Sequence, residues 1–122
     1  MARSYKFTVP GDPVPKGRPR VGRSRAYTPA RTKAHERLIW SCAMQAGVRP
    51  IAGPVTVWCD FHVTSPGKSD ADNLAKAVLD ALNGYAYSDD RQVHELNIRK
   101  HLAARGEART DVTIYPCTEV AA

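Results

Sequence analysis

The chain is poor in the features that mark secreted, membrane and metal-thiolate proteins. It has three cysteines in 122 residues, and their wide spacing favours small buried side chains over a disulfide framework or a zinc site. The four histidines also show no ligand-like spacing. No apolar run approaches the ~20 residues of a membrane span, and the N-terminus lacks the apolar core of a signal peptide. We therefore expect a cytoplasmic protein with no membrane contact.

Acidic side chains are scarce and unevenly placed. The chain has 12 Asp and Glu against 18 Lys and Arg, a net charge of +6. The first 37 residues hold ten basic and two acidic residues, so they carry +8, and the remaining eight basic and ten acidic residues carry −2. This concentration favours a polyanionic partner, because neutralising phosphates releases counterions. A generic solubilising surface is the alternative.

Alternating apolar residues predict four strands, and apolar residues at helical spacing predict two helices. The predicted strands are Tyr5–Val9, Val55–Val63, Gln92–Lys100 and Ala108–Tyr115, and the predicted helices are Ala30–Gln45 and Asp72–Leu82. The first helix is predicted to turn inward a stripe of Leu38, Ile39, Cys42 and Ala46. The order β-α-β-α-β-β indicates one α+β domain over residues 1–122, a mixed four-stranded sheet with both helices on one face.

A segment rich in Pro, Gly and Arg follows the first strand, from Val14 to Arg25. Pro and Gly oppose regular structure here. We expect this loop to bind the phosphate backbone through its cations, which are Lys16, Arg18, Arg20, Arg23 and Arg25. At the end of the loop, Tyr27 either stacks on an unpaired base or packs against the domain.

The main acidic motif is Asp70-Ala71-Asp72-Asn73-Leu74-Ala75-Lys76. Asp70 and Asp72 lie two residues apart at the predicted start of the second helix, where clustered oxygens suit a hard cation such as Mg²⁺. Lys76, one turn further on, could direct its ammonium at a phosphate or at an attacking water. The structural alternatives are that Asp72 favours the helix N-terminus and that Lys76 forms an ion pair with Asp72 or Asp80.

A second acidic pair, Asp89-Asp90, follows the second helix. We expect this helix to return the chain beside its starting strand and so to bring the pair close to Asp70 and Asp72. Carboxylates clustered in this way repel one another unless a cation neutralises them. The pattern therefore predicts a cation site, and it leaves the roles of Asp60, Asp80 and Asp89 open.

These residues resemble the RusA-type Holliday junction resolvases of bacteria and phages. The resemblance consists of Asp70-x-Asp72-Asn73-Leu74-x-Lys76, then Leu79-Asp80-Ala81-Leu82-Asn83-Gly84, then Asp89-Asp90-x-Gln92-Val93. The basic segment Gly11–Arg20 and the tripeptide Tyr27-Thr28-Pro29 also fit the family. The resemblance therefore covers nearly the whole chain.

The resemblance implies a Mg²⁺-dependent, structure-selective endodeoxyribonuclease, with Mn²⁺ as a substitute, that resolves four-way junctions by paired symmetric nicks. Carried onto this sequence, the metal ligands are Asp70, Asp72 and Asp90, and these three act with Lys76 as the catalytic residues. The family acts as homodimers on branched DNA, and a two-fold dimer presents one site to each of two opposed strands. The resemblance also implies a cytoplasmic enzyme encoded by a bacterium, a phage or a prophage.

Two other functions stay open at this point. One is a metal nuclease with a broader preference for branched DNA. The other is a basic nucleic-acid-binding module without catalysis, in which Asp70, Asp72 and Asp90 are helix caps and surface charges. Cleavage of a synthetic junction in Mg²⁺ or EDTA discriminates between cutting and binding alone.

Overall fold

Two α-helices and six strands are found in the computed structural model, which describes residues 3–17, 20–21, 26–27, 30–65, 67 and 69–117. In chain order they are β1 (Tyr5–Pro10), β2 (Arg20–Val21), β3 (Ala26–Tyr27), α1 (Ala30–Gln45), β4 (Val55–Val63), α2 (Ala71–Leu82), β5 (Val93–Leu102) and β6 (Arg109–Pro116). A 3₁₀ turn over Asp90–Gln92 precedes β5. The predicted α+β class and the predicted order of the main elements are confirmed.

Four strands form one mixed sheet in the order β1-β6-β4-β5. β6 is antiparallel to both of its neighbours, whereas β4 and β5 are parallel, from Val55 beside Val93 to Val63 beside Leu102. A parallel pair needs a crossover connection, and α2 provides it. As a result, α2 runs back from the end of β4 toward the start of β5, and β5 lies at an edge of the sheet.

The alternation in β4 shows why the sheet buries one face. Its odd-numbered residues from Val55 to Phe61 are at most 1% exposed, while Trp58, Asp60 and His62 are half-buried on the other face. α2 packs on the buried face through the apolar side chains of Leu74, Ala75, Val78 and Leu82. Each fully buried Leu or Val contributes about 1.5–3 kcal/mol, which fixes α2, and the acidic residues around it, on the sheet.

α1 has its predicted bounds, and it is followed by Gly47, whose φ of +80° suits a glycine just past a helix end. Its predicted inward stripe is wrong. The buried side chains are Thr32, His35, Ile39 and Ala43, whereas Leu38 is 39% exposed. Hydrophobicity alone misidentifies this face because two of its residues are polar and bond the preceding loop. Neither α1 nor α2 is long and apolar enough to cross a membrane.

The segment predicted as a loop over Val14–Arg25 contains regular structure. Arg20–Val21 pairs antiparallel with Ala26–Tyr27 as a separate two-stranded sheet. Strands of two residues are too short to show alternation, so the sequence pattern does not reveal them. The side chain of Tyr27 lies outside the described residues, and its predicted stacking or packing stays a prediction.

Candidate functional site

α2 begins shortly after β4 ends, and we call its first residues and the preceding aspartate, Asp70–Lys76, the α2 head. Asp70 occupies the N-cap position with extended backbone, and its carboxylate makes no capping hydrogen bond. Asp72 lies in the first turn, where its Oδ1 accepts the N–H of Asn73 at 3.0 Å. Both aspartates are exposed. Capping therefore does not account for Asp70, and both carboxylates are accessible as oxygen ligands.

Lys76 is the exposed cation of the α2 head. Its side chain is 59% exposed, and its Nζ lies 3.7 Å from Oδ1 of Asp80. Pairing with Asp80 was one of the structural alternatives, and it is the ion pair that the structure shows. Exposed pairs of this kind stabilise a helix by only ~0.3–0.5 kcal/mol. Turning Lys76 from Asp80 toward a phosphate therefore costs little, and its catalytic role stays a prediction.

A cleft of about 380 Å³ adjoins the α2 head at the carboxyl end of β4. Its cationic lining residues are Arg31 from α1 and Lys100 from β5, and Asp12 is its acidic one. Lys100 Nζ donates to the carbonyl of Ser69 at 2.7 Å, which holds the residue directly before Asp70. Ligands of open α/β sheets bind beyond the carboxyl ends of the strands. Two cations thus lie where a phosphate next to Asp70 needs them.

The second acidic pair belongs to the segment Tyr85–Gln92, which we call the α2 foot. Asp89 caps the 3₁₀ turn: its Oδ1 accepts the N–H of Arg91 at 2.9 Å, and Gln92 completes a capping box. The hydrogen bonds from the backbone and then the side chain of Arg91 lower the pKa of Asp89. Asp89 therefore has a structural role, and Asp90 is the carboxylate of the pair that the capping box does not use.

Gln92 fastens the α2 foot to the chain that leads into β4. Its Nε2 donates to the carbonyls of Ile51 and Gly53 at 2.9 and 2.8 Å. The foot therefore lies at the amino end of β4, which begins at Val55. Sequence reasoning missed this residue, although the Asp89-x-x-Gln92 spacing is the signature of a capping box.

The α2 head and the α2 foot lie at opposite ends of the β4–β5 pair. Ser69 at the head bonds Lys100 near the carboxyl end of β5, whereas Asp90 precedes Val93 at its amino end. Strand geometry puts about 23 Å between Val93 and Lys100, while ligands lie only ~2.1 Å from a shared Mg²⁺.

The expectation that α2 brings Asp90 beside Asp70 and Asp72 within one chain is therefore wrong. A parallel crossover returns the chain to the opposite end of the starting strand. Consistently, no three His, Cys, Asp or Glu side chains are grouped to hold a metal ion among the residues that the structure describes. The assignment of these three carboxylates to one metal stays a prediction.

The start of the basic segment is anchored between the two helices. Lys16 Nζ lies 2.7 Å from Glu36 of α1 and 3.0 Å from Asp80 of α2, and its backbone N–H donates to the Asn73 carbonyl of the α2 head at 2.9 Å. Burial lowers the pKa of Lys16, but the hydrogen bonds to Glu36 and Asp80 outweigh it and the pKa is raised. These contacts favour an anchoring role for Lys16 over the predicted phosphate contact.

Two buried polar side chains of α1 hold the same loop. Thr32 Oγ1 accepts the N–H of Gly17 at 3.0 Å, and His35 Nε2 accepts the N–H of Val14 at 3.4 Å. Burial, and then the charge of Arg31, lower the pKa of His35, so its ring stays neutral and able to accept. Sequence reasoning missed both residues, because they lie on the face that hydrophobicity failed to identify.

Most of the arginines predicted to bind DNA belong to the part of the basic segment that the structure leaves undescribed. Arg18, Arg23 and Arg25 lie outside the described residues, and Arg20 is described only through its backbone in β2. Their contacts with phosphate stay a prediction.

Asp60 lies on the sheet face opposite the helices, so it does not join the α2 head. Its Oδ1 is 2.7 Å from Nε2 of His101, and the His101 ring stacks on His62 with centroids 4.7 Å apart. His62 in turn lies 3.2 Å from a carboxylate oxygen of Asp111. The polar residues of β4 and β5 therefore form their own network, away from the predicted cation site.

Known proteins resemble the chain along most of its length. A family model described as Endodeoxyribonuclease RusA matches residues 10–115. The chain belongs to the RusA family. A relative named Uncharacterized protein YqaN, from Bacillus subtilis (strain 168), is 33% identical over 137 aligned positions, which cover 89% of this chain and 94% of the relative. The Crossover junction endodeoxyribonucleases RusA of Escherichia coli (strain K12) and Enterobacteria phage 82 are each 29% identical over 116 positions, covering 91% of this chain and 93% of the relative.

The RusA match includes both acidic segments and the basic loop. The α2 head, the α2 foot and residues 14–25 all lie within the matched range of 10–115. The family assignment made from the acidic motif is thereby confirmed. Family membership also means that the separation of head and foot needs an explanation in terms of a working site.

Proposed function

We propose that the chain is a Mg²⁺-dependent endodeoxyribonuclease that cuts four-way DNA junctions by paired symmetric nicks. The observation that carries this proposal is the α2 head: in a member of the RusA family, Asp70 and Asp72 are exposed at a helix start, and the Asp70 carboxylate caps nothing. Relatives from Escherichia coli and phage 82 are named crossover junction endodeoxyribonucleases. By the same reasoning, the chain is a cytoplasmic enzyme of bacterial or phage origin.

The donor chemistry of the α2 head fits a hard divalent cation. Asp70 and Asp72 offer carboxylate oxygens, the ligands that Mg²⁺ prefers. We assign Asp70, Asp72 and Asp90 as the residues that hold the ion, with Mn²⁺ as a substitute. When bound, such an ion polarises the scissile phosphate and lowers the pKa of an attacking water.

The remaining work falls to cationic side chains of the chain itself. Lys76, once turned from Asp80, places its ammonium at the negative charge that develops on the phosphate. Arg31 and Lys100, which line the cleft beside the α2 head, position the DNA backbone through charge-assisted hydrogen bonds. The basic loop adds affinity that does not depend on sequence, through Arg18, Arg20, Arg23 and Arg25.

Cleavage of a synthetic four-way junction tests the proposal. The junction and a linear duplex of the same arms are incubated with the protein in Mg²⁺ or in EDTA. We expect paired nicks on the junction, none on the duplex, and none in EDTA. Asp72→Asn is expected to abolish nicking while still binding the junction, and Asp89→Asn is the matched control at a carboxylate with a capping role.

Each other outcome contradicts a stated part of the proposal. Nicks on flaps and forks at rates equal to the junction would show a broader branched-DNA nuclease. Tight junction binding without nicks in Mg²⁺ or Mn²⁺ would show a binding module. Nicking that persists in both EDTA and Asp72→Asn would remove the metal and the α2 head from the mechanism.

A further inference from the structure

β5 is an unusually complete edge strand. It runs for 10 residues, Val93–Leu102, with no Pro or Gly, and the sheet order leaves one of its sides without a neighbouring strand in the four-stranded sheet. Two of its apolar side chains are exposed: Leu96 by 39% and Leu102 by 75%. Proteins usually blunt such edges or cover them, because a long free edge pairs readily with another strand.

The two parts of the predicted site lie at the two ends of this same edge. The α2 head is tied to the carboxyl end of β5 by the bond from Lys100 to Ser69. Asp90 stands three residues before the amino end of β5, in the turn that enters it. A second β5 running antiparallel beside the first therefore carries its amino end, and its Asp90, to the carboxyl end of the first.

We propose that two copies of the chain pair antiparallel through β5, so that Asp90 of the partner subunit completes each site begun by Asp70 and Asp72. This inference rests on the proposed function, since it identifies the partner that makes the metal site whole. A two-fold axis through the middle of β5 produces two equivalent sites, because an isologous interface repeats every contact. Each chain then supplies the head of one site and the foot of the other.

The charges on β5 agree with one register of this pairing. When Asn97 lies opposite itself, residues whose numbers sum to the same value face each other, and Glu95 lies opposite Arg99 of the partner subunit. The two-fold axis makes this ion pair twice. Both side chains are exposed, and both are on the sheet face opposite the helices, since they pair in register with Thr56 and Asp60 of β4.

Both side chains are also held against the sheet before any partner arrives. Glu95 Oε1 accepts from Thr56 Oγ1 at 3.0 Å and from Cys117 Sγ at 3.1 Å, and the Arg99 guanidinium lies 5.3 Å from the Trp58 ring centroid. Side chains that are ordered in advance lose less entropy on association. The same register sets Leu96 against Ile98 of the partner subunit on the helix side, which covers one of the exposed apolar residues.

The other surfaces of the chain explain the site less well. The opposite edge, β1, has six residues and ends in Pro10, and pairing there leaves β5 and both parts of the site apart. α1 exposes Trp40 by 39% and Met44 by 45%, but nothing in that surface relates the α2 head to the α2 foot. β5 is the edge whose antiparallel pairing joins them.

Mixed dimers test the proposal through activity. Asp70→Asn/Asp72→Asn protein and Asp90→Asn protein, each expected to be inactive, are mixed at equal concentration after partial denaturation and refolding. If the sites are shared, each mixed dimer has one intact site, and a statistical mixture recovers about a quarter of the wild-type nicks. A mixture that stays inactive, while wild-type protein treated in the same way nicks, would overturn the proposal.

Cross-linking tests the same geometry without any catalysis. Asp72→Cys and Asp90→Cys are made separately in a Cys42→Ser/Cys117→Ser background, on chains of different size, and the mixture is treated with a short bismaleimide. We expect a covalent product of one chain of each kind. A product found only within chains of the Asp72→Cys/Asp90→Cys double variant, and not between chains, would contradict the proposal. Should wild-type protein fail to nick while the mixed product still forms, the interface would stand and the proposed function would fall.

Charge reversal tests the register. Glu95→Arg is expected to weaken the dimer at least tenfold, as measured by sedimentation, and Glu95→Arg/Arg99→Glu is expected to restore it. Glu107→Lys, a reversal at an exposed position in the turn before β6, is the matched control and Met44→Ser tests the α1 surface. Dimerisation that is unchanged in Glu95→Arg but lost in Met44→Ser would place the interface on α1 instead.

Discussion

The α2 head and the α2 foot both carry a pair of aspartates, but the structure uses the two pairs differently. At the foot, Asp89 caps a 3₁₀ turn and accepts the N–H of Arg91, and Gln92 ties the segment to the chain before β4. At the head, Asp70 stands at an N-cap position and caps nothing. A carboxylate with a structural task is therefore separated from carboxylates without one by their hydrogen bonds, although the residue types are the same.

The two ends also show what one chain lacks. Each end holds carboxylates that the fold does not use, but the β4–α2–β5 crossover keeps the two ends about 20 Å apart. A two-fold partner that pairs through β5 turns this separation into two shared sites. Substitutions at the head and at the foot should therefore differ in what they do to cleavage and to stability.

The largest effect is expected at the head. Asp70→Asn removes a metal-ligand charge, and removing an interaction that acts in the transition state costs at least ~100-fold in rate. Asp89→Asn is the matched change at the foot, and because Asn caps as well as Asp does, nicking should change little. Single-turnover junction cleavage measures both. Equal decreases in rate in the two variants would erase the distinction between head and foot.

The foot is expected to matter more for stability. Gln92→Ala leaves the Ile51 and Gly53 carbonyls and the capping box without a partner, at a cost of about 1–3 kcal/mol in the free energy of unfolding. Asp72→Ala, at an exposed position of the head, should change that free energy by less than about 0.5 kcal/mol. Urea denaturation measures both. A larger destabilisation by Asp72→Ala than by Gln92→Ala would reverse the assignment of structural roles.

The basic segment beside the head should divide in the same way. Lys16→Met leaves Glu36 and Asp80 without their shared cation and should cost about 1–2 kcal/mol in the free energy of unfolding. Replacing Arg18, Arg20, Arg23 and Arg25 by Gln should leave stability unchanged and reduce the salt slope of DNA binding by ~0.9 for each phosphate that is no longer neutralised. If Lys16→Met lowers the salt slope and leaves stability unchanged, Lys16 binds DNA and is not an anchor.

The smallest expected effect is a pH dependence of the anchored loop. The pKa of His35 is lowered from 6.5, chiefly by burial, so the unfolded chain takes up the proton first. The stabilising contribution of neutral His35 is therefore complete above about pH 6.5 and is lost as the pH falls below it. In His35→Gln this part of the pH dependence should disappear from urea midpoints measured between pH 7.5 and 5. A variant whose midpoints fall as steeply as those of the wild type would exclude His35 as the cause.

Much of the fold follows from local patterns in the sequence. The bounds of β4 and α1 were predicted residue for residue, because β4 alternates strictly and α1 has a proline before it and a glycine after it. The buried face of α1 was not predicted, since Thr32 and His35 are buried to serve a loop that hydrophobicity does not describe. β2 and β3 escaped because two residues carry no period.

The site was predictable as chemistry and less so as geometry. The α2 head was recognised from its spacing and its resemblance to a family, and Asp89 was correctly set apart from Asp90. The sequence pattern does not tell whether the strand after α2 runs parallel or antiparallel to β4, and that direction decides where Asp90 lies. A contact made between two chains leaves even less trace in the pattern of one.

A metal site shared by head and foot is tested by Mn²⁺ binding, measured by calorimetry on wild-type protein, Asp72→Asn and Asp90→Asn. If the head and the foot form one site, both variants bind Mn²⁺ more weakly to a similar degree, by more than about tenfold, the least that even a supporting residue of a metal site contributes. If Asp90→Asn binds Mn²⁺ as tightly as the wild type while Asp72→Asn does not, the foot has no part in the site and the shared site is contradicted.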